Sequence, residues 1–208
     1  MTVPFPSEPF ASAGDYVAAY REAVARAWAS LDRQALDRAA ALLDDAIRTA
    51  KFIYACGNGG SAAISGHLQC DMLKGVQTDT ALRPRVISLA SPLELVSAIA
   101  NDIGYDEVFV YQLRTLAAPG DVLITISASG NSENIVRAVE WARRHGVRTI
   151  AMTGFSGGRS ARLADVNLHV AADNYGVVED LHQSLMHCLS QFLRQRAMRP
   201  ELVRQARF

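Results

Sequence analysis

The sequence predicts a doubly wound α/β fold: a five-stranded parallel sheet flanked by helices. Three observations carry that prediction. Short runs that are apolar throughout recur at 52–56, 85–90, 122–127, 148–153 and 166–171, and such runs suit strands buried on both faces. Helical patterns separate the runs, and strands alternating with helices argue a parallel sheet. Two of the run ends are rich in glycine and serine, as expected of ligand loops at the carboxyl ends of strands.

Taken in order, residues 12–50 form an N-terminal helical region. Tyr16, Tyr20, Val24, Trp28 and Leu31 recur at helical spacing, as do Leu36, Ala39, Leu43 and Ile47. Asp32 between them is a plausible N-cap. Residues 51–198 make the α/β core, beginning with the run FIYAC at 52–56. A helix follows, on which His67 and Asp71 lie four apart and share a face. Spacing alone reads that pair as a surface ion pair or a core histidine before a metal site. The runs RVISLA, VLITIS, RTIAMT and VNLHVA supply the other strands, and a last helix covers 177–198. Tyr105 and Phe109 read as core, and His182 as a helix-face or interface residue. His145 precedes Gly146 at a helix end, where a cation suits the macrodipole. The tail RQRAMRPELVRQARF holds five arginines and reads as a solvated or subunit-contacting end. There are no internal repeats and no linker, so 1–208 is expected to be one domain.

Composition narrows the class. Acidic and basic residues balance at 21 each, so no global field draws the chain to nucleic acid or to a membrane. The start MTVPFPSEPF has neither the basic nor the apolar region of a signal peptide. No apolar run approaches the roughly 20 residues of a membrane span. The three cysteines, Cys56, Cys70 and Cys188, have no metal spacing, which points to a reducing, cytoplasmic compartment.

The two loops carry the chemistry. Cys56-Gly57-Asn58-Gly59-Gly60-Ser61 ends the first strand, and its glycines allow close backbone approach while the next helix offers free N–H groups to an anion. Ser127-Ala128-Ser129-Gly130-Asn131-Ser132 ends the third strand with hydroxyls that, with backbone N–H groups, can wrap a phosphate without a lysine. Each alone is also readable as a tight turn with a capping serine. Neither has the Gly-Lys-Ser/Thr ending of a triphosphate loop or the G-x-G-x-x-G spacing of a dinucleotide site.

These segments, with NDIGYDEVF at 101–109, MTG at 152–154 and EDLHQSLMH at 179–187, resemble the sugar isomerase (SIS) domain family over about residues 15–195. Within that family the chain resembles the bacterial phosphoheptose isomerases, which interconvert sedoheptulose 7-phosphate and D-glycero-D-manno-heptose 7-phosphate. The resemblance implies a metal site, zinc with one ion per subunit, from His67, Asp71, Glu179 and His187; another divalent metal fits the same donors. It implies Asp71 as carbon base and His187 as acid/base toward oxygen. It places phosphate on Ser61, Ser127, Ser129 and Ser132, with Ala128 in the same loop. It places sugar hydroxyls on Asn58, Gly59, Gly60, Asn101 and Asp102, with Asp71 and Glu179 also facing substrate.

Geometry raises one objection. Glu179 and His187 are eight apart, roughly 12 Å along a helix, and His182 and Gln183 are alternative neighbours on the same segment. The chain also departs from the family pattern. Asp71 replaces a Glu, Glu179 a Gln and Ala128 a Thr; Gly75 and Gly176 stand where the family has an Arg and an Asp, and Lys74 can supply the lost positive charge. The resemblance further implies a homotetramer packed through the N-terminal helices, with no nucleic-acid or membrane partner. Some SIS proteins are not enzymes: they bind the replication initiator or sense a sugar phosphate. An isomerase for another phosphosugar, in antibiotic or surface-sugar assembly, is the other enzymatic alternative.

Overall fold

A computed structural model of the chain describes residues 5–208. The expectation of a leader-free start rests in part on residues 1–4, which lie outside the described residues. Helices α1 (Ala13–Ala29) and α2 (Arg33–Arg48) form as read. The Ser12 hydroxyl accepts from the Asp15 N–H at 3.1 Å, and the Asp32 carboxylate accepts from Gln34 N–H at 2.8 Å. These caps satisfy amide donors that have no partner within the first helical turn.

Strand β1 (Phe52–Gly57) leads into α3 (Gly60–Cys70), which continues as a π-helical turn at Asp71–Val76. Then come β2 (Arg85–Ser88), α4 (Leu93–Asp102), a single 3₁₀ turn at Tyr105–Glu107 and α5 (Val110–Leu116). The chain proceeds through β3 (Val122–Ser127), α6 (Glu133–Arg144), β4 (Arg148–Thr153), α7 (Gly158–Leu163) and β5 (Val166–His169). Helices α8 (Tyr175–Ala197) and α9 (Pro200–Val203) finish it. The second and fifth apolar runs outlast their strands, though Leu89 N–H still bonds Ala55 O and Val170 N–H still bonds Thr153 O, each at 2.8 Å. Helix α8 starts at Tyr175 because Asn174 caps it, accepting from Val177 N–H at 3.0 Å.

Among the described residues the five strands pair in parallel in the order β2-β1-β3-β4-β5. Both faces are covered, as the continuous apolar runs require. Ile53 and Ala55 join a core with α1, α2, α3 and α8, whereas Tyr54 and Cys56 join one with α4, α5 and α6. The strand order reverses between β1 and β3, so the loops after these two neighbouring strands open on the crevice where such sheets bind ligands. No helix among the described residues is long and apolar enough to cross a membrane.

Three local readings change. Tyr105 is 53 % exposed rather than core, because Gly104 at φ 147° turns the chain outward before it; Phe109 is buried as expected. His182 lies on α8 but is fully buried within the subunit, so it is a core residue rather than a surface helix-face or interface one. The arginine-rich tail folds back through α9, and Arg194 is buried. His145 caps α6 as read, its ring stacked on Trp141 with centroids 4.1 Å apart.

Candidate active site

The loops after β1 and β3 close on a small pocket of about 140 Å³, lined by Asn58, Ser61, Ser127, Ala128, Ser129, Ser132, Tyr175 and Glu179. Ser61 is buried at the start of α3, and Ser127 hydroxyl accepts from Gly130 N–H at 3.2 Å. Gly130 adopts φ +63°, and a Cβ there would run into the Gly157 carbonyl. Gly60 opens α3 beside α8: a Cβ on it would lie 2.6 Å from a Glu179 carboxylate oxygen. The expected phosphate hydroxyls therefore converge on one pocket, at a helix N-terminus that favours anions.

Asn58 is held by a small polar network. Its amide exchanges hydrogen bonds with Asn134, at 3.0 and 2.9 Å, and Tyr105 hydroxyl donates to Asn58 Oδ1 at 2.9 Å. Asn134 is buried. Asn101 and Asp102 do not line this pocket: they end α4, exposed, with Asn101 Nδ2 donating to Asp102 Oδ1 at 2.7 Å.

The second centre lies further along α3. Asp71 begins the π-helical turn, a distortion frequent at functional sites. Its Oδ1 sits 3.2 Å from His67 Nε2 and its Oδ2 2.7 Å from His187 Nδ1. The two imidazoles meet edge to face with centroids 5.0 Å apart. One donor atom from each of His67, Asp71 and His187 lies within 4.8 Å of the others, so this trio can surround a metal ion. Two imidazoles and a carboxylate are a donor set that suits zinc. Gln183 Nε2 lies 2.9 Å from His187 Nε2, so with the amide donating, Nδ1–H of His187 points at Asp71. For His187 to ligate, one of these two contacts must open.

Glu179 is not brought to the trio. Helix α8 is regular from Tyr175, so the objection from helical rise holds, and Glu179 lines the serine pocket instead. The two helices therefore run side by side. Glu179 reaches Gly60 at one end and His187 reaches Asp71 at the other.

The departures at glycines have local consequences. Beside Gly176, Tyr20 hydroxyl would lie 3.1 Å from an added Cβ, and that hydroxyl donates to Asp180 at 2.6 Å, docking α1 on α8. Burial, with the Asp180 carboxylate, holds the Tyr20 phenol well above its usual range. Nothing lies within 4 Å of where a Cβ on Gly75 would be. That space belongs to a cavity of about 430 Å³ that opens on Asp71 and His187.

Spacing put His67 and Asp71 on one face, and the family resemblance, not the spacing, marked them as a site. Gln183, one of the alternative neighbours, does stand beside His187, whereas Tyr105, Asn134 and Arg194 went unread as site neighbours. Only Tyr105 carried a signal, as a tyrosine inside the segment at 101–109 that resembles its family counterpart.

A doubly wound sheet with a hydroxyl-lined pocket at its switch point and an Asp–His pair beyond it defines the class: an α/β protein with a polar ligand crevice at the carboxyl ends of its strands. The SIS domain family profile matches residues 15–154. Phosphoheptose isomerase of Akkermansia muciniphila is 36 % identical over 160 residues, 76 % of this chain and 83 % of that protein. That of Aliarcobacter butzleri is 34 % identical over 175 residues, 84 % of this chain and 92 % of that protein. The solved phosphoheptose isomerase GmhA from Neisseria gonorrhoeae superposes with a TM-score of 0.80 at 32 % identity, over 88 % of this chain and 96 % of that one. The chain belongs to the SIS domain family and, within it, groups with the phosphoheptose isomerases.

Proposed function

We propose that the whole chain, 1–208, acts as a single SIS domain that isomerises a phosphorylated long-chain sugar between ketose and aldose. The proposed pair is sedoheptulose 7-phosphate and D-glycero-D-manno-heptose 7-phosphate. One observation carries this reading: the serine pocket and the Asp71–His187 pair lie at the two ends of the same pair of parallel helices. Ser61 and Asp71 are ten positions apart, about 15 Å of helix, and inward-reaching side chains shorten the gap. An extended seven-carbon phosphosugar suits that separation, and a triose phosphate is too short.

In this reading Ser61, Ser127, Ser129 and Ser132 hold the phosphate with the backbone of the Ala128 loop. Asn58, Gly59, Gly60 and Glu179 hold hydroxyls of the chain. Asn101 and Asp102 complete the sugar site from the exposed end of α4. Asp71 takes the proton from the carbon beside the carbonyl and returns it to the neighbouring carbon. His187, bonded to Asp71 through Nδ1, moves the proton between the two oxygens. Both carboxylate oxygens of Asp71 face imidazoles, so the base acts once one imidazole turns to a substrate oxygen. His67, Asp71 and His187 would hold one zinc ion per subunit. When bound, the ion supplies Lewis-acid stabilisation of charge developing on the substrate oxygens.

The enzyme is proposed to be a cytoplasmic homotetramer. Exposed Val17 and Trp28 on α1, and Leu93 and Leu95 on α4, support subunit contacts there. A sedimentation mass equal to one chain at micromolar concentration would refute the assembly. For the activity, purified protein is incubated with sedoheptulose 7-phosphate and with shorter phosphosugars, with and without a chelator. The expected result is an aldoheptose phosphate from the seven-carbon substrate alone. Binding without conversion of any phosphosugar would instead favour a sensor.

A further inference from the structure

The cavity on Asp71 and His187 has a wall that the proposed chemistry does not use. Asp71, Lys74, Gly75 and residues of α8 from His187 to Arg194 line the cavity together with Arg207 and Phe208. Gly75 contributes no side chain, and nothing else occupies the space a Cβ would take. The carboxy-terminal residues and α8 therefore supply the side-chain boundary beyond Gly75.

Those residues are held by Arg194. It is 8 % exposed and lies seven positions, about two turns, beyond His187 on the same helix. Its Nε donates to Thr78 O at 3.1 Å, its Nη2 to Asp79 Oδ2 at 2.9 Å and its Nη1 to Arg207 O at 3.0 Å. The Phe208 ring lies against the same guanidinium, 4.9 Å from ring centre to Cζ, where a cation is attracted to the aromatic face. One buried cation thus ties together the loop that follows the π-helical turn of Asp71, the helix of His187 and the end of the chain. A buried guanidinium loses much if its partners are removed, so the end of the chain is fixed rather than draped.

We infer that Arg207 and Phe208, clamped by Arg194, form the outer wall of the substrate cavity at Asp71 and His187 and contact the carbonyl end of a long sugar phosphate. This rests on the proposed placing of phosphate in the serine pocket and carbonyl at Asp71. A ligand anchored by its phosphate reaches the wall only if its carbon chain is long enough. The wall therefore discriminates by chain length, adding affinity to seven-carbon phosphosugars and none to five-carbon ones.

The test uses full-length protein, Phe208→Ala and a variant lacking residues 206–208. Phe208 is half exposed and outside both cores, so Phe208→Ala should fold normally. The shortened variant also loses the Arg207 carbonyl from Arg194, which keeps Thr78 and Asp79, and a thermal melt measures that cost. Two readouts are independent of turnover. Carbethoxylation of His187 by diethyl pyrocarbonate, followed by peptide mass spectrometry, should quicken severalfold in the shortened variant, with His67 as internal reference. Calorimetric titration should show binding of sedoheptulose 7-phosphate weakened about tenfold in both variants, the loss of one set of ligand contacts, with ribose 5-phosphate binding unchanged. Unaltered His187 reactivity, or equal weakening for both sugars, overturns the inference. If these results appear but the wild-type protein converts no phosphosugar, the wall stands and the isomerase reading falls.

Discussion

The two ends of the site are built in opposite ways. The serine pocket is about 140 Å³, bounded mainly by loop backbone and short hydroxyl side chains at the ends of β1 and β3, with Tyr175 and Glu179 of α8 on one side and Asn58 locked between Asn134 and Tyr105. The cavity at Asp71 and His187 is about 430 Å³ and bounded by longer, partly exposed side chains from the π-helical turn, α8 and the tail. An anion is best held by donors that are already in place, because no reorganisation follows its arrival. Proton transfer needs groups that can change partners, and the imidazoles around Asp71 are partly exposed rather than packed into the core. Rigidity at one end and exchangeable contacts at the other are what the proposed tasks, phosphate binding and proton transfer, would each require.

Asp71→Asn breaks the comparison at its reactive end. The amide keeps the size and an oxygen, and removes the base. Turnover of the seven-carbon substrate should fall by about 10²–10⁴-fold, the range of general base catalysis. Its binding should persist, because the serine pocket is untouched. Near-normal turnover would remove Asp71 as the base. Full recovery on adding zinc would make it a ligand only, and His187 would become the leading acid/base.

Helix α8 supplies an internal control. His187 is partly exposed and both ring nitrogens have partners, whereas His182, five positions earlier, is fully buried with neither nitrogen hydrogen-bonded. Burial pushes the His182 imidazole from 6.5 down to about 4, and the nearby Thr153 backbone opposes this only in part. The unfolded chain binds this proton at higher pH than the folded one. Stability from the neutral ring is therefore complete above 6.5, and it is lost as pH falls through the folded value. Integrated over that window the loss is about 3 kcal/mol. His182→Leu should flatten the dependence of denaturation midpoint on pH between 6.5 and 4, and leave turnover at neutral pH unchanged. A wild-type pH slope retained in the variant would remove His182 as its source.

Ser129→Ala sharpens the comparison at the rigid end. Loss of a hydrogen bond to a charged phosphate should weaken substrate binding by about 1–3 kcal/mol. The fold should be unaffected, since the Ser129 hydroxyl otherwise accepts only a long bond, 3.3 Å, from Asn131 N–H. An unchanged KM, with the dephosphorylated sugar converted equally well, would reduce Ser129 to a turn residue.

How much of this was legible in sequence follows the same division. The continuous apolar runs announced the sheet because parallel strands buried on both faces leave that trace. The glycine and serine loops were readable because backbone-built sites restrict residue type. The side-chain end was only half readable. Helical spacing paired His67 with Asp71, but nothing local joins Asp71 to His187 across 116 positions; that contact needs the parallel packing of α3 and α8. The same packing carries Glu179 to Gly60 and away from the trio, which no residue type could announce. Arg194 read as one arginine of a charged tail, and its burial depends on the chain end folding back over it.

Tyr105 tests whether the rigid end is as preorganised as its geometry implies. Its ring is largely exposed, and its hydroxyl bonds one atom, Asn58 Oδ1. Asn58 retains Asn134 without it, so Tyr105→Phe loosens the network without dismantling it. Loss of one neutral hydrogen bond is worth about 0.5–1.5 kcal/mol, or roughly a two- to tenfold rise in KM if Asn58 contacts substrate in ground state and transition state alike. The kcat should hardly move, because Asp71 and His187 lie at the other end of the helices. A fall in kcat with KM unchanged would place Tyr105 in the reacting end and overturn the division. A variant indistinguishable from wild type in both constants would show that Asn134 alone suffices to hold Asn58.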